Sequence, residues 1–131
     1  MAGSGNILVV DDEADTLGLI ELTLQTAGFR VMTSPGAAQA IKLLQAEKYD
    51  LILLDVMMPD MTGYDLLTKM RGEMGIKTPV VFLTAKNQPE DRMTAEATGA
   101  SGYLTKPTTR GQLLDVIRQI LGRESAAGAS G

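Results

Sequence analysis

Residues Leu51–Pro59 read LILLDVMMP. Four aliphatic residues lead into one carboxylate, Asp55, and Val56, Met57, Met58 and Pro59 follow. A strand with one wet face alternates apolar and polar residues; an unbroken apolar run suits a strand covered on both faces. An ionised Asp in such surroundings needs a charge partner, hydrogen bonds or a bound cation. Two questions follow: what sheet covers Leu51–Leu54 on both sides, and what meets Asp55 where the strand emerges.

Outward from this stretch, strands and helices alternate. Asn6–Val10 (NILVV), Phe29–Thr33, Leu51–Leu54, Pro79–Leu83 (PVVFL) and Gly102–Leu104 read as short strands. Between them, Ala14–Ala27 carries Leu17, Ile20 and Leu24 at helical spacing, and Gly28 stops it. Pro35–Ala46 is expected as a second helix, with Ser34 as N-cap and Pro35 at its first position. Thr62–Met70 and Pro89–Thr98 are the next two, the latter stopped by Gly99. Thr109–Leu121 is the last, striped by Leu113, Val116, Ile117 and Ile120.

Five strand–helix units with right-handed crossovers predict a (βα)5 doubly wound parallel sheet of α/β class, in the flavodoxin-like order 2-1-3-4-5. Such sheets bind ligands beyond the carboxyl ends of the strands, near the reversal of strand order between strands 1 and 3. One folded domain is expected over residues 6–121, flanked by disordered segments 1–5 and 122–131, which are rich in Gly, Ala and Ser.

Composition narrows the chemistry. The chain of 131 residues has no Cys and no His, so disulfides, thiolate or imidazole metal ligands and histidine acid–base catalysis are excluded. A metal here has oxygen ligands, which suits Mg²⁺. A net charge of −4 weighs against direct nucleic-acid binding. No apolar run approaches the roughly 20 residues that span a bilayer, so membrane insertion is not expected. The opening residues lack a basic segment followed by an apolar one, so a cytoplasmic setting is expected.

The proposed sheet gathers particular residues at one edge. Strand 1 ends at Asp11-Asp12-Glu13, strand 3 at Asp55, strand 4 at Thr84, and Lys106-Pro107 follows strand 5. Singly, each has an ordinary explanation: acids cap helices, and Lys-Pro makes a turn. Together they form a carboxylate cluster with one hydroxyl and one ammonium, whose mutual repulsion a cation would relieve.

These residues resemble the receiver domains of two-component response regulators over about residues 6–121. The matching motifs are VVDDE (9–13), LLDVMMPDMTG (53–63), FLTAK (82–86) and GYLTKP (102–107). The resemblance implies a phosphorylation-dependent signalling switch rather than an enzyme in its own right. Asp55 would accept the phosphoryl group. Asp11, Asp12, Asp55 and the Met57 backbone carbonyl would hold Mg²⁺, with Mn²⁺ as a substitute. Lys106 and Thr84 would bind phosphoryl oxygens, and Tyr103 would follow Thr84. Lys106–Pro107 would be cis. Met57 and Lys86 would tune phosphate lifetime.

The implied partners are a histidine kinase or histidine phosphotransfer protein, and a downstream target or output domain. Glu13, Thr16, Leu19, Leu22 and Pro107 are expected to dock the kinase, because Leu19 and Leu22 fall opposite the apolar stripe of the first helix. A phosphorylation-dependent dimer is a further partner the resemblance allows, although GASGYL lacks the acidic pair many DNA-binding regulators use for it. Thr108 stands where many receivers carry an aromatic.

Three rivals come from other classes. A haloacid-dehalogenase-type phosphatase would place its nucleophile in a DxD-like motif after strand 1, where this chain has DDE. A pseudo-receiver would have lost part of the acid, hydroxyl and lysine set. A flavodoxin would have a Ser/Thr/Gly-rich phosphate loop where three acids stand.

Overall fold

The computed structural model describes residues 5–85, 97 and 99–130. The elements are β1 (Asn6–Val10), α1 (Ala14–Thr26), β2 (Arg30–Ser34), α2 (Ala37–Ala46), β3 (Leu51–Asp55), α3 (Gly63–Arg71), β4 (Val80–Thr84), β5 (Gly102–Thr105) and α4 (Arg110–Ser130). The expected helix Pro89–Thr98 lies, but for Ala97, outside the described residues.

All four strand pairings are parallel, and the order is β2-β1-β3-β4-β5. β3 and β4 are buried along their whole length. Their side chains alternate between two apolar layers, which explains why LILL has no polar interruptions. Leu8, Val10, Ile52, Leu54, Val80 and Phe82 face α2 and α3, meeting Ala40, Leu66, Leu67 and Met70. Ile7, Val9, Leu51, Leu53, Val81 and Leu83 face α1 and α4, meeting Ile20, Leu24, Leu113 and Ile117. Each fully buried Leu or Ile contributes about 2 kcal/mol through removal from water.

Two helix boundaries differ from expectation. Ser34 does not cap α2. It is the last residue of β2, and its hydroxyl donates to the Gly36 carbonyl at 2.7 Å. The helix starts at Ala37, because parallel pairing with β1 continues through Ser34. At the other end of the chain, α4 continues to Ser130, past the helix end expected at Leu121. Gly122 is a weak stop, costing about 1 kcal/mol against Ala, and no proline follows it. By contrast, α3 begins as its sequence suggests, with Thr62 Oγ1 accepting from the Asp65 N–H at 3.1 Å. No helix among the described residues is long and apolar enough to cross a membrane.

Candidate functional site

The strand register places the polar residues. Val10 lies opposite Leu54, so Asp11 and Asp55 emerge side by side. Asp55 lies opposite Leu83 and Thr84 opposite Thr105, which brings Thr84 and then Lys106 to the same edge. Backbone bonds carry this alignment past the strand ends: Val56 N to Leu83 O at 3.0 Å and Lys106 N to Thr84 O at 2.7 Å.

Asp11, Asp55 and Thr84 are buried, whereas Asp12 is exposed. Asp11, Asp12 and Asp55 each offer a carboxylate oxygen within 4.8 Å of the others. The Lys106 ammonium reaches three acids: Asp11 Oδ2 at 2.6 Å, Glu13 Oε1 at 2.9 Å and Asp55 Oδ2 at 3.3 Å. Backbone N–H groups hold the remaining oxygens, Glu13 N donating to Asp11 Oδ1 at 2.9 Å and Met57 N to Asp55 Oδ1 at 3.3 Å. Asp11 Oδ2 is buried with no aligned hydrogen-bond donor, despite the nearby ammonium.

The electrostatics follow from burial. Desolvation, and then the neighbouring Asp11 charge, push the Asp55 carboxyl up from 3.8 to about 7; Lys106 and the Met57 N–H offset this only in part. Burial alone would lower the Lys106 pKa, but its contacts with Asp11, Glu13 and Asp55 outweigh burial and raise it. Three acids thus share one ammonium. The donors are hard oxygens, two deep and one open to water, with one buried oxygen lacking an aligned partner. That set suits Mg²⁺, which takes a few carboxylates and keeps several waters.

The other expected residues fall into three groups. Glu13, Thr16, Leu19 and Pro107 line a recess of about 300 Å³ with Ile20, Leu83, Ala85, Lys106 and Thr108. Leu22 lies outside that lining, and both leucines are well exposed, Leu19 at 65% and Leu22 at 60%. Tyr103, half-buried on β5, packs against the layer under α2 and α3. Met57 is 55% exposed beside Asp55. Lys86 lies outside the described residues. The Lys106–Pro107 peptide is cis.

Two contacts were not read from the sequence. Glu13, assigned to docking, also pairs with Lys106. Asp60 accepts hydrogen bonds from Ala37 N at 3.3 Å and Ala38 N at 3.0 Å, capping α2 from a distant loop. A helix start left without its own polar cap was the available signal, hidden by assigning Ser34 to that role.

Comparison with known proteins agrees with this geometry. The family described as "Response regulator receiver domain" matches residues 7–118. The chain is 34% identical over 125 residues to response regulator SaeR of Staphylococcus epidermidis, covering 95% of this chain and 54% of SaeR. It is 38% identical over 115 residues to an uncharacterised 14.6 kDa protein of Leptolyngbya boryana, covering 87% of this chain and 88% of that one. The chain spans about half the length of SaeR and of several other curated relatives it matches. Among solved structures, chemotaxis protein CheY4 of Vibrio cholerae superposes with a TM-score of 0.84 at 33% identity, covering 89% of this chain and 98% of that one. With its sheet order, its acid–lysine edge and this match in place, the chain belongs to the response regulator receiver domain family, signalling modules of two-component systems.

Proposed function

We propose that this chain is a phosphorylation switch whose acceptor is Asp55, charged from a phosphohistidine on a histidine kinase or phosphotransfer protein. The observation that carries this reading is the meeting of Asp55 with Asp11, Asp12 and Lys106 at one sheet edge. An aspartate needs no general base when ionised, and phosphoryl transfer depends mainly on positioning and charge neutralisation. An Asp55 oxygen forms the new O–P bond as the donor's N–P bond breaks, and the electron pair returns to the donor imidazole. The donor histidine lies outside this sequence, which has none.

Asp11, Asp12, Asp55 and the Met57 carbonyl would hold Mg²⁺, or Mn²⁺ in its place; the ion neutralises phosphoryl charge when bound. Lys106, already among these acids, stabilises a phosphoryl oxygen, and the Thr84 hydroxyl takes another. Met57, bulky and exposed beside Asp55, shields the acyl phosphate from water, and Lys86 is the second residue that tunes its lifetime. Hydrolysis of that phosphate on the chain itself is the only turnover expected.

The added charge shifts the population of conformers. Thr84 follows the phosphoryl group, Tyr103 follows Thr84, and the surface of residues 89–98, β5 and α4 changes its partners. A target protein or output domain reads that change, with phosphorylation-dependent dimerisation as one form of readout. Glu13, Thr16, Leu19, Leu22 and Pro107 form the kinase-facing surface.

Intact-mass measurement with Mg²⁺ and acetyl phosphate tests the reading. Wild type gains one phosphoryl group, and Asp55→Asn gains none. An unmodified wild type would instead indicate a phosphorylation-independent binding module.

A further inference from the structure

Residues 56–62 connect β3 to α3 and carry Met57. Near Asp55 the loop is pinned by Met57 N to Asp55 Oδ1 at 3.3 Å, and at its far end by Gly63 N to Val56 O at 2.8 Å. Its middle reaches in another direction. Asp60 places its carboxylate on the first N–H groups of α2, accepting from Ala37 at 3.3 Å and Ala38 at 3.0 Å. Those groups need a partner from elsewhere. Gly36, at the N-cap, has no side chain, and the Ser34 hydroxyl is engaged with the Gly36 carbonyl. A carboxylate also suits the positive end of the helix.

The fit is close. A Cβ on Gly36 would lie 3.3 Å and 3.4 Å from the two Asp60 oxygens, although Gly36 has extended backbone that any residue adopts. The absence of a side chain there makes room for the carboxylate.

We propose that Asp60 is a positioning residue: by tying the 56–62 loop to α2, it holds the Met57 carbonyl where the divalent cation needs it. This rests on the reading of Asp55 and Met57 given above. A cap that served α2 alone could come from α2's own N-cap position, whereas here it comes from the loop beside the acceptor. The contact makes α2 a fixed support for the metal end of the site.

The test is calorimetric titration of the full chain with Mg²⁺, alongside thermal unfolding without it. Asp60→Ala should weaken Mg²⁺ binding about tenfold, the low end of what partners behind a metal ligand contribute. Asp60→Asn should lose less, because Asn caps helices as well as Asp does. Asp115→Asn, an exposed charge on α4, should change nothing. Gly36→Ala should weaken binding in wild type, but not further in the Asp60→Ala background, because the two act through one contact. Should Asp60→Ala fail to fold, Gly36→Ala measured with and without Asp60→Asn decides the matter.

A lower melting temperature with unchanged Mg²⁺ affinity would reduce Asp60 to a helix cap and overturn the proposal. Equal losses in the Asn and Ala variants would do the same, by tracing the effect to charge alone. A wild type that binds no Mg²⁺ would be a different failure, removing the metal reading itself and the proposal with it.

Discussion

The Lys106 ammonium lies nearer to Asp11 than to Asp55, 2.6 Å from Asp11 Oδ2 against 3.3 Å from Asp55 Oδ2. Without a divalent ion, this lysine is therefore the counter-ion of the buried acid that follows β1 before it is a partner of Asp55. Asp11 is completely buried and cannot replace it with water.

Removing the lysine should thus cost more than an exposed ion pair would. Lys106→Met leaves Asp11 and Asp55 facing each other uncompensated, and breaking a buried pair this way costs about 3 kcal/mol. Urea unfolding near neutral pH, in chelator, should show that loss. Excess Mg²⁺ should recover much of it, because a second cation then neutralises the same oxygens.

Stability should also depend on pH through Asp55. Its carboxyl titrates near 3.8 when unfolded and at about 7 when folded, so the folded state holds the extra proton between those values. Stability therefore falls as pH rises across that window, with the full penalty reached above it. Thermal unfolding in chelator should show the decline in wild type. Asp55→Asn carries no titrating group there, so it should lack that part of the slope and melt higher than wild type above neutrality. Mg²⁺ should flatten the wild-type curve.

Gly63 offers a steric probe of the same loop. A Cβ there would collide with the Asp55 backbone oxygen and sit 3.1 Å from Phe82 Cε1 and from Val56 Cα. Backbone cannot give as a flexible side chain does, so Gly63→Ala should destabilise the fold by about 2 kcal/mol. It should also slow phosphorylation from acetyl phosphate, because the displaced oxygen belongs to Asp55, the proposed acceptor. Chemical unfolding and intact mass read the two effects separately.

Leu19 separates the proposed docking surface from the chemistry at Asp55. Its side chain is exposed and lines the recess beside Lys106. Leu19→Asp should leave stability and acetyl-phosphate labelling within error of wild type. Transfer from a phosphorylated histidine kinase should fall at least about tenfold, as expected for loss of an apolar anchor at an interface. Unchanged transfer would remove Leu19 from that surface.

Much of the fold was legible because its signals are local. The unbroken LILL and VVFL runs identified strands covered on both faces, and Leu17, Ile20 and Leu24 identified the buried side of α1. The strand order then followed from chirality and crossover rules. Boundaries were less legible where tertiary pairing overrode local preference. Ser34 looks like a cap, but parallel pairing with Val10 keeps it in β2, and the actual cap arrives from Asp60, 23 and 22 residues beyond Ala37 and Ala38.

The sequence by itself determined which residues stand at the carboxyl edge, because strand ends and their following residues are written in chain order. Only the tertiary structure decided how they share charge. Nothing in DDE or TKP says that Lys106 contacts Asp11, Glu13 and Asp55 together, or that Asp11 is sealed from water while Asp12 is not. Those outcomes depend on the depth of each strand end and on the approach of segments far apart in the chain, Glu13 and Lys106 being separated by 93 residues. Electrostatic strength varies with distance and burial, and neither is carried by the identity of a residue.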